Sequence, residues 1–445
     1  MSINKCVEQW FSSEDGRRYT ISKQDNLEFG EVSRGDQKIY VNPAITYQSI
    51  TGFGTSLDES SVHNFCQMPE ASRDEVLQQL FDPAEGVGWN ILRICFGSSD
   101  FTGKPYYSYD DVAPGETDPE LKRFSIQKDI DYRIVEYIKR IREINPEVLI
   151  VASPWSPPAW MKDSGTMCGG SLLPEYCAVA ARYYRMAIQA YEKLGIPVYA
   201  FTVQNEPLMN NETYPTCRFT WQELSGLVKE LKKEFSAHGI KTKLWPVDHN
   251  FNMAMSYGAR MIEDPEVCAA VDGFSFHDYL DEPTEMTTLH HRHPDKPIYL
   301  TERSVWGTGG MDRIIQYLRN WAKCYVAWVT CLDNERKPNS GCHGANATFV
   351  VRDVEKEKGY YYIPEVYLLG QLSAFIQRGA KRVECNYGSR GFVTAAAFLN
   401  PDGNLVLVAV NQDGWDKRIE IQCGDEQIAP RIPAHTVATF RWKNT

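Results

Sequence analysis

Twelve cysteines are spread over 445 residues, yet none forms a C-x-x-C pair and no cluster resembles the tight framework of small secreted domains. The thiols are therefore read as reduced and mostly buried. Long hydrophobic runs are missing too: no stretch approaches the roughly 18 apolar residues of a bilayer span. The opening MSINKCVEQWFSSEDG lacks the apolar core of a secretory leader, so a cytoplasmic location and no stable membrane insertion are expected. Positive charge is scarce. With 47 Lys+Arg against 58 Asp+Glu the net charge is −11, a field that repels phosphate backbones and anionic headgroups. The longest basic stretch, Lys229 to Lys233, is broken by Glu230 and reads as a solvated helix face. No nucleic-acid partner is expected.

Several catalytic signatures are absent as well. No G-x-S-x-G or H-E-x-x-H occurs. His290, His291 and His293 cluster before Pro294 without metal-ligand spacing, and Gly307, Gly309 and Gly310 carry neither a Walker lysine nor a dinucleotide fingerprint. Neither a metal nor a cofactor is expected.

What is abundant is aromatic: 11 Trp and 24 Tyr. Most belong to packing, but flat rings also suit a ligand with apolar faces and polar edges, as sugars have. Short apolar runs alternate with longer amphipathic ones, the pattern of repeated βα units in the α/β class. Strands are expected at Ser49–Ser56, Ile91–Gly97, Val148–Trp155, Val198–Gln204, Lys243–Val247, Gly273–Tyr279, Pro297–Thr301 and Tyr325–Cys331. Helical patterns fall between them at Pro174–Leu194, Trp221–His238 and Met311–Ala322, the second opened by Thr220 and Glu223 as a capping box. Such units close into a (β/α)8 TIM barrel. Tyr19–Tyr47 is polar and β-prone, punctuated by Gly30 and Gly35 as hairpin turns would be, and after a last helix near Phe375 period-two alternation marks Phe392–Leu399, Leu405–Asn411 and Thr436–Trp442. The expected division is therefore 1–46 and 377–445 as one antiparallel β-sandwich side domain built from both termini, with 47–376 as the barrel.

Barrel enzymes place their chemistry where strands end. Here the ends read Ser56-Leu57-Asp58-Glu59, Ser98-Ser99-Asp100-Phe101, Ser153-Pro154-Trp155, Gln204-Asn205-Glu206-Pro207, Asp248-His249-Asn250, His277-Asp278-Tyr279, Thr301-Glu302-Arg303 and Thr330-Cys331-Leu332-Asp333. Glu206 and Glu302 follow apolar runs, where an unpaired buried charge is expensive, so each has either a structural cation or a polar cleft. The fourth and seventh strands of an eight-stranded barrel lie roughly across the pore. Two carboxyls converging there, about 5–5.5 Å apart, suit glycoside hydrolysis with retention.

Thr51-Gly-Phe-Gly-Thr-Ser56, Leu92-Arg-Ile-Cys-Phe-Gly-Ser-Ser-Asp-Phe101, Ala152-Ser-Pro-Trp-Ser-Pro-Pro-Ala-Trp160, Asn205-Glu-Pro207, Phe276-His-Asp-Tyr279, Leu300-Thr-Glu302 and Leu369-Gly-Gln-Leu-Ser-Ala-Phe375 follow one another along nearly the whole chain. In this it resembles glycoside hydrolase family 30 of clan A, above all its glucosylceramidases and β-glucosidases, and also its β-1,6-glucanases. The resemblance implies an O-glycosyl hydrolase acting on a carbohydrate or glycoside. Glu206 would be general acid/base and Glu302 nucleophile, with Glu206 raised in pKa. It also implies that Arg93 and Tyr279 flank the nucleophile. Asp100 would grip sugar hydroxyls as a two-oxygen acceptor, Trp155 would stack on the ring and Asn205 would bond the 2-hydroxyl. Asp248, His277, Tyr214 and Trp306 are placed at the rim, and Trp160 in packing. The resemblance puts an aromatic near the end of strand eight, where this reading finds Thr330-Cys331-Leu332. A glucosylceramidase-like β-glucosidase is the expected activity, which would belong to sphingolipid metabolism. The alternatives are a β-1,6-glucanase, β-xylosidase or β-fucosidase, or a barrel that binds carbohydrate without cleaving it.

Overall fold

A computed structural model describes residues 6–16, 18–30, 35–340, 348–389 and 392–444. Its centre is a nine-stranded parallel sheet that curls until its last strand meets its first. The barrel strands are β1 (Gly52–Leu57), β2 (Ile91–Cys95), β3 (Leu149–Ser153), β4 (Val198–Phe201), β5 (Val247–Asn250), β6 (Phe274–His277), β7 (Ile298–Glu302) and β8 (Ala322–Ala327). The ninth is Lys243–Leu244, which pairs with β4 while β5 pairs with β6. These two pieces share one barrel position. Pro246, which has no N–H to give a ladder, stands between them, and Val247 and Asp248 then take left-handed backbone angles (φ 88° and 43°).

Closure brings backbones very near one another. Gly54 of β1 lies opposite Ile91 of β2, where a Cβ would stand 1.8 Å from the Ile91 carbonyl oxygen. The barrel interior is filled by Ile91, Val151, Ala200, Trp245, Tyr299, Cys324 and Val326. Trp245 and Tyr299 stack with centroids 3.6 Å apart. These residues plug the pore, so chemistry is left to the strand ends.

The helices arise as the pattern predicts, with one shift. Thr220 and Glu223 form both halves of the capping box, and the helix Trp221–His238 stops at Gly239, whose φ of 67° completes a left-handed cap. The helix after β7 spans Gly307–Arg319 and begins four residues before the expected Met311. Its first turn, Gly307-Thr308-Gly309-Gly310, has poor helix propensity. Two distant carboxylates satisfy its free N–H groups: Glu365 accepts from Gly307 N at 2.9 Å and Glu14 from Thr308 N at 3.0 Å.

Strand eight also needs correction. It ends at Ala327 and not at Cys331. The chain then leaves the barrel for a small sheet of Cys331–Asp333, Val350–Arg352 and Tyr360–Tyr362. The residue just past the strand is thus Trp328, which restores an aromatic where the expected strand end had none.

The second domain joins both termini in one eleven-stranded sheet folded as a sandwich. Cys6–Ser13 lies beside Thr436–Lys443, then come Asn404–Asn411, Val393–Leu399, Lys381–Cys385, Gln37–Ser49 and Lys417–Cys423. Its core holds Val7, Phe11, Ile39, Val383, Leu407, Ile421 and Phe440. Among the described residues the pairings are antiparallel except that Gln37–Ser49 runs parallel to Lys417–Cys423. The strand Gln37–Ser49 runs three residues past position 46. No described helix is long and apolar enough to cross a membrane.

Candidate active site

The mouth of the barrel gathers Arg93 from β2, Ser153 from β3, Asn205 and Glu206 beyond β4, Asp248 from β5, His277 from β6 and Glu302 from β7. Arg93, fully buried, is the hub. Its Nη1 donates to Glu302 Oε2 at 2.5 Å. Its Nη2 donates to Asp248 Oδ2 and Asn205 Oδ1, each at 2.8 Å, and to Ser153 Oγ at 2.9 Å. A planar fork with several donors is the cation that can serve so many acceptors from one place.

His277 forms the second centre. Its Nδ1 lies 3.0 Å from Glu206 Oε1 and 3.7 Å from Glu302 Oε1, and its Nε2 lies 3.2 Å from Asp248 Oδ1. Burial by itself favours a neutral ring, but Glu302, Asp248 and Glu206 together raise its pKa to about 10. The imidazolium in turn governs Glu206. Burial alone would push that carboxyl up, yet the bond from His277 holds it below the ordinary glutamate value. The expected raised pKa of Glu206 is therefore not found, because the imidazolium of His277 beside it favours the charged carboxylate. Asp248 is likewise held far down: burial opposes its charge, but Arg93 and His277 outweigh it.

The ligand atoms of Glu206, His277 and Glu302 all lie within 4.8 Å of one another. This is the one described cluster close enough to hold a metal ion, but a protonated imidazole has no lone pair to offer. The arrangement instead suits proton exchange and attack on a carbon held between two carboxylates. Tyr279 OH donates to Glu302 Oε1 at 2.8 Å, and burial and Glu302 push its own pKa well up, so it stays a donor.

Backbone strain concentrates at this mouth. Val203, Glu206, Val247 and Asp248 all have positive φ, between 43° and 88°, and Glu206 N donates to the Asp248 carbonyl at 2.9 Å. Non-glycine residues hold such angles where the surrounding structure over-determines them.

The sequence-expected residues divide as follows. Glu206, Glu302, Arg93, Asn205 and Tyr279 converge directly. Asp248 and His277, expected at the rim, are fully buried at the centre. Asn205 turns its carbonyl to Arg93, which leaves its amide N–H groups for a ligand. Asp100 is buried with Oδ1 unpartnered. Burial and then Glu302 push its pKa well up, so it meets a ligand as a neutral carboxyl, one donor and one acceptor, and not as a double acceptor. Trp155 is only 2% exposed, stacked on Trp328 at 4.9 Å and lying 4.9 Å from the Arg93 guanidinium. Tyr214 packs against that pair with Phe101 and Leu332. Trp160 donates to the Asp110 carbonyl at 3.0 Å and meets Tyr176 edge-on, as packing requires. Trp306 is exposed and lines a groove of about 480 Å³ with Tyr279 and Arg303.

Two residues were missed. Trp328 was hidden inside an unbroken apolar run. His249, next to Asp248, is buried, and its Nδ1 is unpartnered 3.7 Å from Glu206 Oε1. Burial holds it neutral beside the charged His277.

Comparison with known proteins agrees with this geometry. Residues 50–376 match the profile of the glycosyl hydrolase family 30 TIM-barrel domain, and 379–440 that of the family's beta sandwich domain. The chain is 28% identical over 418 residues to endo-1,6-beta-D-glucanase BGN16.3 of Trichoderma harzianum, covering 88% of this chain and 84% of that one. It is 28% identical over 438 residues to putative glucosylceramidase 4 of Caenorhabditis elegans, covering 90% and 81%. Among solved structures, the endo-beta1,6-glucanase BT3312 superposes with a TM-score of 0.89 at 28% identity, covering 99% of both chains. With both of its domains matched, the chain belongs to glycoside hydrolase family 30.

Proposed function

We propose that this glycoside hydrolase cleaves β-glucosidic bonds with retention and that its substrate is a β-1,6-glucan. The observation that carries the mechanism is the Glu206–Glu302 pair, whose carboxylate oxygens lie within 4.8 Å. That spacing leaves room for a sugar carbon but not for a carbon and a water, which is the retaining geometry.

Glu302, bonded by Arg93 and oriented by Tyr279, attacks the anomeric carbon. As the new C–O bond forms, the glycosidic C–O bond breaks and Glu206 gives its proton to the leaving oxygen. His277, 3.0 Å away, supplies the proton that Glu206 needs. Water then adds to the anomeric carbon, Glu206 takes its proton, and Glu302 leaves unchanged. Three carboxylates facing Arg93 and His277 leave a surplus negative charge, which favours a transition state that places positive charge on the sugar ring. The amide N–H groups of Asn205 are left for the 2-hydroxyl, and Trp328 with Trp155 forms an aromatic wall beside Arg93.

The choice of β-1,6-glucan over glucosylceramide is supported by relatives named as endo-1,6-β-glucanases from three fungi and one solved structure. Initial rates on soluble β-1,6-glucan, detergent-dispersed glucosylceramide and nitrophenyl β-glucoside, β-xyloside and β-fucoside test it. The glucan should be turned over with the highest kcat/KM. A fluorinated mechanism-based glucoside should label Glu302. Label on any other residue would end the mechanism, and preference for the lipid would end the substrate assignment.

A further inference from the structure

Large apolar side chains left in water are informative when they gather. Here Tyr279 (46% exposed), Leu280 and Trp306 (40%) edge the groove beside Glu302, while Phe392 and Trp415 (76%) stand exposed on the side domain. The fold brings these groups to one edge. The helix Gly307–Arg319 starts at Trp306, and a Cβ on Gly309 would stand 3.8 Å from Gln412 of the side domain. Val393 pairs with Asn411, so Phe392 comes level with Gln412. Asn411 Nδ2 holds the Trp415 carbonyl at 2.9 Å and so fixes the turn that carries the indole. Glu14, from the same end of the side domain, bonds Thr308.

We infer that the side domain contributes a distal glycan-binding platform, centred on Trp415, that continues the leaving-group side of the cleft past Tyr279 and Trp306. This inference rests on the proposed β-glucan substrate and names where the chain runs. Asp100, Trp155 and Trp328, on the other side of the catalytic pair, are buried, whereas Tyr279 and Trp306 line an open groove on the side toward Trp415. Its polar groups suit a neutral sugar. Arg313 pairs with Asp278 at 2.7 Å and Glu282 at 2.5 Å, and Lys417 pairs with Asp413 at 2.7 Å while lying over the Phe392 ring. Aromatic faces thus alternate with paired charges and with Gln412. Arg303, 4.9 Å over the Tyr279 ring in the same groove, adds N–H donors for sugar hydroxyls, whereas a lipid chain would need contiguous apolar surface.

The test compares wild type, Trp415→Ala and Trp415→Phe. With soluble β-1,6-glucan, Trp415→Ala should raise KM by about three- to tenfold at unchanged kcat, the size of one lost aromatic contact. Trp415→Phe should recover most of it, and nitrophenyl β-glucoside kinetics should stay within twofold for all three. In parallel, Glu302→Gln and Glu302→Gln/Trp415→Ala are run through gels containing β-1,6-glucan, and the second should be retarded less. Equal retardation, an unchanged KM on the polymer, or an equal loss on the small glucoside would each overturn the platform. If wild type fails to cleave the glucan but retardation still depends on Trp415, the platform stands and the substrate assignment falls.

Discussion

Arg93 and Glu302 join β2 to β7 across the mouth of the barrel through a 2.5 Å hydrogen bond, and the same guanidinium reaches Asp248 at 2.8 Å. Arg93→Leu would leave two buried carboxylates with only His277 as a cation. Removing one partner of a buried pair costs about 3–5 kcal/mol, so urea unfolding should show a loss of that order, with Arg93→Lys intermediate because an ammonium cannot fork. A change below about 1 kcal/mol would show that Arg93 is not the hub.

His277 makes stability fall with alkali. Its folded pKa, near 10, lies above the ordinary histidine value of 6.5, so the folded state binds a proton that the unfolded state has released. The contribution is complete below pH 6.5 and is lost as pH rises toward 10. Unfolding free energies measured at pH 6.5, 7.5 and 8.5 should decline in wild type and lose this slope in His277→Asn. The variant should also move the alkaline limb of kcat/KM to lower pH, since Glu206 would then have to hold the proton alone.

Gly54 cannot be replaced without moving a neighbouring strand. A methyl there would meet the Ile91 carbonyl at 1.8 Å. Gly54→Ala should lower the melting temperature steeply or leave the chain insoluble, whereas Gly226→Ala, on an open helix face where a Cβ meets nothing within 4 Å, should be neutral or stabilising.

Asp129 is a buried carboxylate held by the hydroxyls of Tyr107, Tyr109 and Tyr191. Burial raises it to about 6 although the three phenols pull the other way. The folded state therefore keeps a proton in the window between 3.8 and 6 that the unfolded state loses, and this group's contribution falls as pH rises through that window. Asp129→Asn removes the titration and cannot accept all three hydroxyls, at about 1–3 kcal/mol. Its deficit relative to wild type should be larger at pH 4 than at pH 7.

The positions of the eight strands and the identity of the strand-end groups were readable because parallel barrel strands are continuous apolar runs that stop at polar residues. Where the run does not stop, that signal fails: Ala322 to Leu332 is apolar almost throughout, and nothing in it marks the end of β8 at Ala327. Side-chain direction was less readable still. Asp248 and His277 were placed at the rim, but the pairing of β5 with β6 shifts register at Val247/His249 and that of β6 with β7 shifts at Phe276/His277. Such bulges re-aim a side chain that simple alternation would send elsewhere. The proton balance of Glu206 was unreadable for a related reason, since it depends on a histidine 71 positions away in sequence.

The pairing of Cys6–Ser13 with Thr436–Lys443, Glu8 opposite Arg441, sets a timetable. The barrel can assemble in order as it is made, because its consecutive strands are neighbours. The first strand of the side domain cannot. At synthesis rates of about 5–20 residues per second, roughly 20–90 s pass before its long partner emerges. Ser22–Lys23 and Leu27–Glu28 can cover one edge of it early, but through that interval the other edge keeps open N–H and C=O groups, so the ribosome-bound stage is when this protein has most need of a chaperone.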